Sequence, residues 1–335
     1  MLKVIAYSGS KFDASSRFRI RQYIPSLEKL GVELVDCPSL INRYPPRNQI
    51  LRYPWAIANL YEGFQRSKLS YNFDVSILQR EFLSTKFTNE RFTKLPRVLD
   101  VDDAIFLSNS GIAAKKLALS SQLIICGNSF LAQWFSQYNA NIVIIPTAVD
   151  TSRYTPTLLN TKIQLIGWSG SSSGLNYLYS IESEIKIVLD KFPHVKLRIV
   201  CDRKPIFLTL DKQRIEFLFW SIDNEIQLLQ DLTIGIMPLS DTDWERGKCS
   251  YKMLCYMSCG IPVVVSDVGM NSEVLAYGNI GIGVRNNKWA DALIFLLENQ
   301  GLAQAMGVQG REVAIKSFDT KIIAIKLHKT LSTFS

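Results

Sequence analysis

The side chains best suited to chemistry are cations gathered late in the chain, in the stretch WERGKCSYKMLCYMSCGIPVVVSDVGMNSEVL at 244–275. Apolar residues at helical spacing predict a helix over 248–259. On it Lys248, Lys252, Cys255 and Cys259 fall at i, i+4, i+7 and i+11 and share one face, with Arg246 just upstream. A helix start offers free N–H groups and a positive dipole end, so lysines beside it predict an anion site of the kind that holds phosphate. The competing reading is a core helix with two solvated lysines, the commoner fate of an isolated K-x-x-x-K pair. A second cluster, GWSGSSSG at 167–174, sets three glycines and four serines before a predicted helix. Such a loop lets backbone N–H groups approach a diphosphate, and a tight turn without ligand fits it equally well. Asp202, Arg203, Lys204 and Pro205 make another cationic loop, and Asp102 with Asp103 are either acids, metal ligands or helix-capping carboxylates. Cys255 and Cys259 have the spacing to chelate a metal, but the only histidines, His194 and His328, lie far off in sequence, which argues against it.

These residues need elements to position them, and alternating strand and helix signals supply two series. Strands are predicted at 2–8, 32–36, 74–78, 97–101, 123–126 and 142–145, with a helix at 19–30 capped by Ser15 or Ser16 and breaks at Pro45, Pro46 and Pro54. A second series starts at Lys162 with KIQLI and a long helix at 175–191. It continues through strands at 195–201, 215–221 and 232–237, a helix starting near Glu225, and a strand at 261–266. Gly260 and Pro262 end the helix before that last strand, and Val268-Gly269 turns into a helix bearing Glu273. Repeated βα units mean parallel sheets whose ligand-facing loops follow the strand C-termini, which brings Gln79-Arg80-Glu81, Asp102-Asp103 and Gly127-Asn128 to one rim. The expected domains are 1–150, a Thr-rich linker at 151–161, 162–318, and a basic amphipathic helix at 319–335. The opening GSKFDASS departs from the G-x-G-x-x-G fingerprint, which disfavours a nicotinamide or flavin cofactor.

A chain of 335 residues is long for one core, consistent with two domains. Six scattered cysteines do not form a disulfide framework. No apolar run approaches the roughly 20 residues that cross a bilayer, and MLKVIAYSG reads as a strand, so the expected location is the cytosol. Residues 1–97 carry 16 Lys and Arg against 8 Asp and Glu, a net +8 equal to that of the whole chain. A basic first domain implies an acidic partner, either anionic lipid or a phosphorylated acceptor. Without a zinc-finger or RNA-recognition signature, nucleic acid is not expected. The segment WAIANLYEGFQRSK at 55–68 is amphipathic, and a core-facing helix is favoured over a membrane-surface one.

Arg246, Gly247, Lys248, Lys252, Leu254, Tyr256, Met257, Gly260, Pro262, Val263, Val264, Ser266, Val268, Gly269, Asn271, Glu273 and Val274 fit a pattern R-G-K-x-x-x-K-x-L-x-Y-M-x-x-G-x-P-V-V-x-S-x-V-G-x-N-x-E-V. The chain thereby resembles glycosyltransferase family 4 (group 1). SSRFRIRQYIPSLEKLG, QRE, VLDVDDA, IPTAVD, IGWSGSSSGLNYL and IGIMPLSD extend the likeness over nearly its whole length. The resemblance implies an α/β protein of GT-B fold, two Rossmann-like parallel-sheet domains facing each other across a cleft, with the C-terminal helix packed back on the first. It implies retaining transfer from a nucleotide-diphosphate sugar, a co-substrate and not a cofactor, without a metal. The product would be a cell-surface glycan on a lipid-linked or other anionic acceptor, made at the cytoplasmic face of a membrane. Donor phosphates would meet Arg246, Lys248 and Lys252, with Gly167, Trp168, Ser169, Gly170, Ser171, Arg203, Lys204, Cys255, Asn271 and Glu273 around the nucleotide sugar. The acceptor side would draw on Gly9, Arg17, Arg19, Arg80, Asp102 and Asp103. Many members carry two glutamates that would align with Gly247 and Cys255, leaving Glu245 as the nearest acid. That departure keeps open a second reading, a nucleotide-sugar-binding module that partners an active enzyme.

Overall fold

The computed structural model describes residues 1–11, 13–157 and 163–334. They form two units, Met1–Ala148 with Arg246–Cys249 and Thr320–Ser335, and Val149–Glu245 with Ser250–Asp319. In the first unit the order is β1 (Leu2–Tyr7), α1 (Ala14–Arg19), α2 (Ile24–Glu28), β2 (Val32–Asp36), α3 (Arg52–Leu69), β3 (Val75–Gln79) and β4 (Arg97–Val101). Then come α4 (Ile112–Ser120), β5 (Leu123–Cys126), α5 (Ser129–Phe135) and β6 (Ile142–Ile144). The strands pair in parallel in the order β2-β1-β3-β4-β5-β6. Strand alternation splits their side chains between two cores: Val4 and Ala6 enter one, Ile5 and Tyr7 the other.

Three sequence expectations change here. The helix predicted at 19–30 starts earlier, capped by Asp13 instead of Ser15 or Ser16; its carboxylate accepts from Ser15 N at 3.3 Å. Its regular run stops after Arg19, where Ile20 leaves helical geometry at φ −124°. Pro54 does not break structure, because it sits in the first turn of α3, where its missing N–H has no helical acceptor to lose. The third concerns orientation. Helix α3 does not turn its apolar side inward: it buries Asn59, Gly63, Arg66 and Ser67 and leaves Tyr53, Ile57, Leu60, Tyr61 and Phe64 exposed.

The second unit runs β7 (Gln164–Ser169), α6 (Leu175–Tyr179), α7 (Glu182–Lys191), β8 (Val195–Cys201), β9 (Ile215–Phe219), α8 (Gln227–Gln230) and β10 (Ile234–Met237). It continues with α9 (Asp243–Arg246), α10 (Tyr251–Ser258), β11 (Val263–Ser266), α11 (Met270–Leu275), β12 (Gly281–Val284), α12 (Trp289–Glu298) and α13 (Gln300–Val313). Its parallel sheet has the order β12-β11-β10-β7-β8-β9. The single helix predicted at 175–191 is two, parted at Ser180 and Ile181. Lys162, the expected start of the first strand, and linker positions 158–161 lie outside the described residues. The last helix, α14 (Thr320–Leu331), groups with the first unit, where Ile323, Leu327 and Leu331 join its core and the helix packs on α2.

Candidate functional site

In a doubly wound sheet, ligands bind where the strand order reverses, outside the strand C-termini. In the second unit the chain leaves β7 for β8 and β9, then returns to place β10 on the other side of β7, with Gly167 beside Gly235. The switch point therefore lies between the loop that follows Ser169 and the loop that follows Met237. Lys252, in the first turn of α10, reaches the first of these loops. Its Nζ stands 4.7 Å from the centroid of the Trp168 ring, in the space a Cβ on Gly170 would need. Trp168 is buried, and Tyr256 on the same helix accepts from Ser169 N at 2.9 Å, so strand end and helix are fixed together.

Asp202 and Glu245 complete this rim, together with two hydroxyls that spacing did not reveal, those of Tyr177 and Thr242. Asp202, after β8, accepts from Ser172 N at 2.5 Å and Ser172 Oγ at 3.0 Å. Burial alone would raise its carboxyl, but these bonds hold it below the ordinary carboxylate range. The buried Glu245 carboxylate accepts from the hydroxyls of Tyr177 on α6 and Thr242 on the β10 loop, tying that loop to α6. Burial, and then that carboxylate, push the Tyr177 hydroxyl well above its ordinary range. Arg203 and Lys204 are exposed on the same loop as Asp202, and Glu273 stands in the first turn of α11. Asn271 is wholly buried; it accepts from Ser250 Oγ at 2.7 Å and donates to Ser266 O at 3.0 Å, bracing the entry to α10. Cys255 is buried in the core, and its thiol is pushed up by that burial.

The helix predicted at 248–259 begins only at Tyr251, because Ser250 is held in the left-handed region at φ 52°. Lys248 and Lys252 therefore do not share a helix face. Residues Arg246–Cys249 group with the first unit: Asn128 Nδ2 donates to the carbonyls of Arg246 and Lys248 at 3.0 Å each, and Cys249 Sγ donates to Asp102 O at 3.2 Å. Gly247 is pressed against Ala104, where a Cβ would lie 2.7 Å from the alanine methyl, and the Lys248 charge acts on Asp103.

The first unit has its own switch point between β1 and β3. Gly9 follows β1, and its amide donates to Ser16 Oγ at 3.0 Å. Arg80 follows β3 with φ 65° and donates to Asp102 at 2.6 and 3.0 Å and to Asp103 at 2.6 Å. Burial would raise the Asp102 carboxyl, but Arg80 and then Arg19 hold it below its ordinary range. Arg19 is 3% exposed and committed to the interior, with Asp100 at 2.5 and 3.1 Å, Ile145 O at 2.8 Å and Thr147 Oγ1 at 3.4 Å. Arg17 stacks on Phe18, 4.3 Å from its ring centroid. At the end of β3, Gln79 Nε2 and Glu81 Oε2 are buried without a hydrogen-bond partner.

A cavity of about 540 Å³ in the second unit opens off the ends of β10, β11 and β12, lined by Ser240, Asp241, Asp267, Arg285 and Asn286 among others. Its one arginine is paired with Asp267 at 2.7 Å, so its charge does not suit a diphosphate. The cation beside a glycine-serine loop at the switch point does.

Residues 165–299 match the family model described as glycosyl transferases group 1. No curated protein matches the chain significantly. Among solved structures, HepE of Anabaena in complex with UDP and glucose superposes with a TM-score of 0.72 at 15% identity, over 99% of this chain and 100% of that one. The sucrose-phosphate synthase of Thermosynechococcus elongatus has the same TM-score at 12% identity, over all of both chains. WaaG, a glycosyltransferase involved in lipopolysaccharide biosynthesis, gives 0.67 at 11% identity, over 99% of this chain and 100% of that one. These likenesses establish the fold, two Rossmann-like domains of the GT-B type.

Proposed function

We propose that this protein is a retaining, metal-independent glycosyltransferase that moves a sugar from a nucleotide-diphosphate sugar to a lipid-linked or other anionic acceptor in cell-surface glycan synthesis. The proposal locates it in the cytoplasm, peripheral on the inner face of the membrane. The observation that carries this reading is the Lys252 ammonium poised over the Trp168-Ser169-Gly170 loop at the β7/β10 switch point. In the proposed transfer the bond from the anomeric carbon to the diphosphate oxygen breaks, the acceptor oxygen bonds that carbon from the same face, and the acceptor's hydroxyl proton passes to the departing phosphate oxygen. Negative charge grows on the departing phosphate, where a preorganised cation and loop amides are most effective. Lys252 and the amide of Ser171 take that role, the Gly170 amide being committed to Val200 O at 3.0 Å, and Glu245, held by Tyr177 and Thr242, is the acid assigned to the sugar. Arg203, Lys204, Asn271 and Glu273 belong to the surroundings of the nucleotide sugar. Arg246 and Lys248 enter as cations of the first unit's rim. On the acceptor side, Arg17, Arg80, Asp102 and Asp103 are joined by Gln79 and Glu81, whose buried unpartnered atoms an acceptor hydroxyl would satisfy.

A thermal-shift screen against nucleotide sugars tests the reading, starting with UDP-glucose because HepE was crystallised with it. A donor at a hundredfold excess over its dissociation constant adds about 2.7 kcal/mol of stability. Turnover should then proceed in chelator. No stabilisation by any nucleotide sugar would reject the proposal. The alternative, a nucleotide-sugar-binding module partnering an active enzyme, draws support from Gly247 being closed in by Ala104 and Cys255 being buried in the core. Donor binding without turnover on a broad acceptor panel would select it.

A further inference from the structure

Helix α3 is built inside out. Its buried face holds Asn59, Gly63, Arg66 and Ser67, while Tyr53, Ile57, Tyr61 and Phe64, at i, i+4, i+8 and i+11, form an outward stripe. Tyr53 is 81% exposed, Ile57 69% and Tyr61 67%, and Ile50 and Leu51 extend the stripe at the helix start. A water-soluble helix packed on a domain normally has the opposite arrangement. What turns it over is Arg66, which donates to Ser8 O and Cys37 O and lies over the rings of Tyr7 and Phe82.

Cations surround the stripe. Arg47, Arg52, Lys68 and Arg91 are exposed; the Lys68 ammonium is 4.3 Å from the Phe64 centroid, and Phe64 meets Phe92 edge-on at 5.8 Å. The helix's one acid, Glu62, is turned to the 39–41 loop, where it accepts from Leu40 N and Ile41 N, so the outward face carries no carboxylate. Among the described residues no helix is long and apolar enough to cross a membrane.

We propose that α3 docks the protein on an anionic bilayer surface, the stripe entering the interface while the surrounding cations meet lipid headgroups. Aromatic and aliphatic side chains flanked by Lys and Arg match an interfacial helix, and the +8 carried by residues 1–97 adds attraction to anionic lipid. A second copy of the chain is a poorer occupant, because two faces so basic repel. The proposal rests on the glycosyltransferase reading only in expecting a lipid-linked acceptor.

The test is flotation of the full chain with phosphatidylcholine vesicles, with and without phosphatidylglycerol, at low and high salt. Flotation only with the anionic vesicles, weakened by salt, is expected. The triple variant Ile57→Ser, Tyr61→Ser, Phe64→Ser should lose about tenfold or more in partitioning, and Arg52→Gln and Lys68→Gln about fivefold each. All these sites are exposed, so melting curves and the nucleotide-sugar thermal shift should match the parent. Equal flotation with neutral vesicles, none with either, or triple-variant flotation like the parent's would overturn the proposal. So would a dimer, seen by sedimentation, that the triple variant dissolves. Vesicle binding needs no donor, so failure to bind any nucleotide sugar would reject the catalytic reading and leave this one standing.

Discussion

Replacing Lys252 by alanine is the perturbation that bears most directly on the proposed donor site. The ammonium lies over Trp168 and against the loop at Gly170, so a diphosphate held by that loop gains a charge-assisted hydrogen bond from it. Hydrogen bonds to charged groups contribute about 1.5–3 kcal/mol, and tenfold in affinity corresponds to about 1.4 kcal/mol, so binding should weaken by about 10- to 150-fold. The loss of the cation–π contact should cost the ligand-free protein only about 0.5–1 kcal/mol, which leaves it folded. Lys252→Met, which keeps the apolar stem, separates charge from packing and should lose nearly as much affinity. Lys248→Ala is the comparator: its charge faces Asp103 in the first unit, so the loss should be smaller. Isothermal titration with UDP, and with whichever nucleotide sugar gives the largest thermal shift, reads all three. If folded Lys252→Ala binds as tightly as the parent, the assignment of the β7/β10 switch point as the phosphate site is wrong.

The remaining predictions concern packing and reactivity. Gly170→Ala places a methyl 2.7 Å from the Trp168 ring, which the core prevents from moving, so it should cost about 1–3 kcal/mol in urea unfolding and weaken donor binding as well. Arg19→Met leaves Asp100 buried and unpaired and should cost about 3–5 kcal/mol; an acceptor contact at Arg19 would instead show as a raised acceptor KM with unchanged stability. Burial pushes the Cys126 and Cys259 thiols up to about 12, and Cys201, Cys249 and Cys255 also above their ordinary range. At pH 8 a thiol titrating near 12 is thiolate in about one molecule in ten thousand, so a disulfide reagent should label the half-buried Cys37 quickly and the other five only after unfolding.

Much of the scaffold was legible because buried parallel strands are runs of apolar and β-branched residues between turn residues. The strands predicted at 32–36, 97–101, 123–126 and 195–201 occupy those residues in the structure. What stayed hidden depends on tertiary contacts. Periodicity shows which residues of α3 share a face, yet which face turns inward is decided by Arg66 finding the carbonyls of Ser8 and Cys37. The bond from Tyr177 to Glu245 joins residues 68 apart in sequence and leaves no mark in any local pattern. The helix bearing Lys252 was predicted three residues too early because apolar spacing continues through Ser250, whose left-handed backbone periodicity cannot show. That local reversal separates two lysines that a continuous helix would have aligned. Strand topology brings Lys252 instead to Gly170, 82 positions earlier, because β7 lies beside the strand that precedes α10. Residue type identified the cation and the glycine loop, and the order of strands, which no single stretch encodes, decides which cation the loop receives.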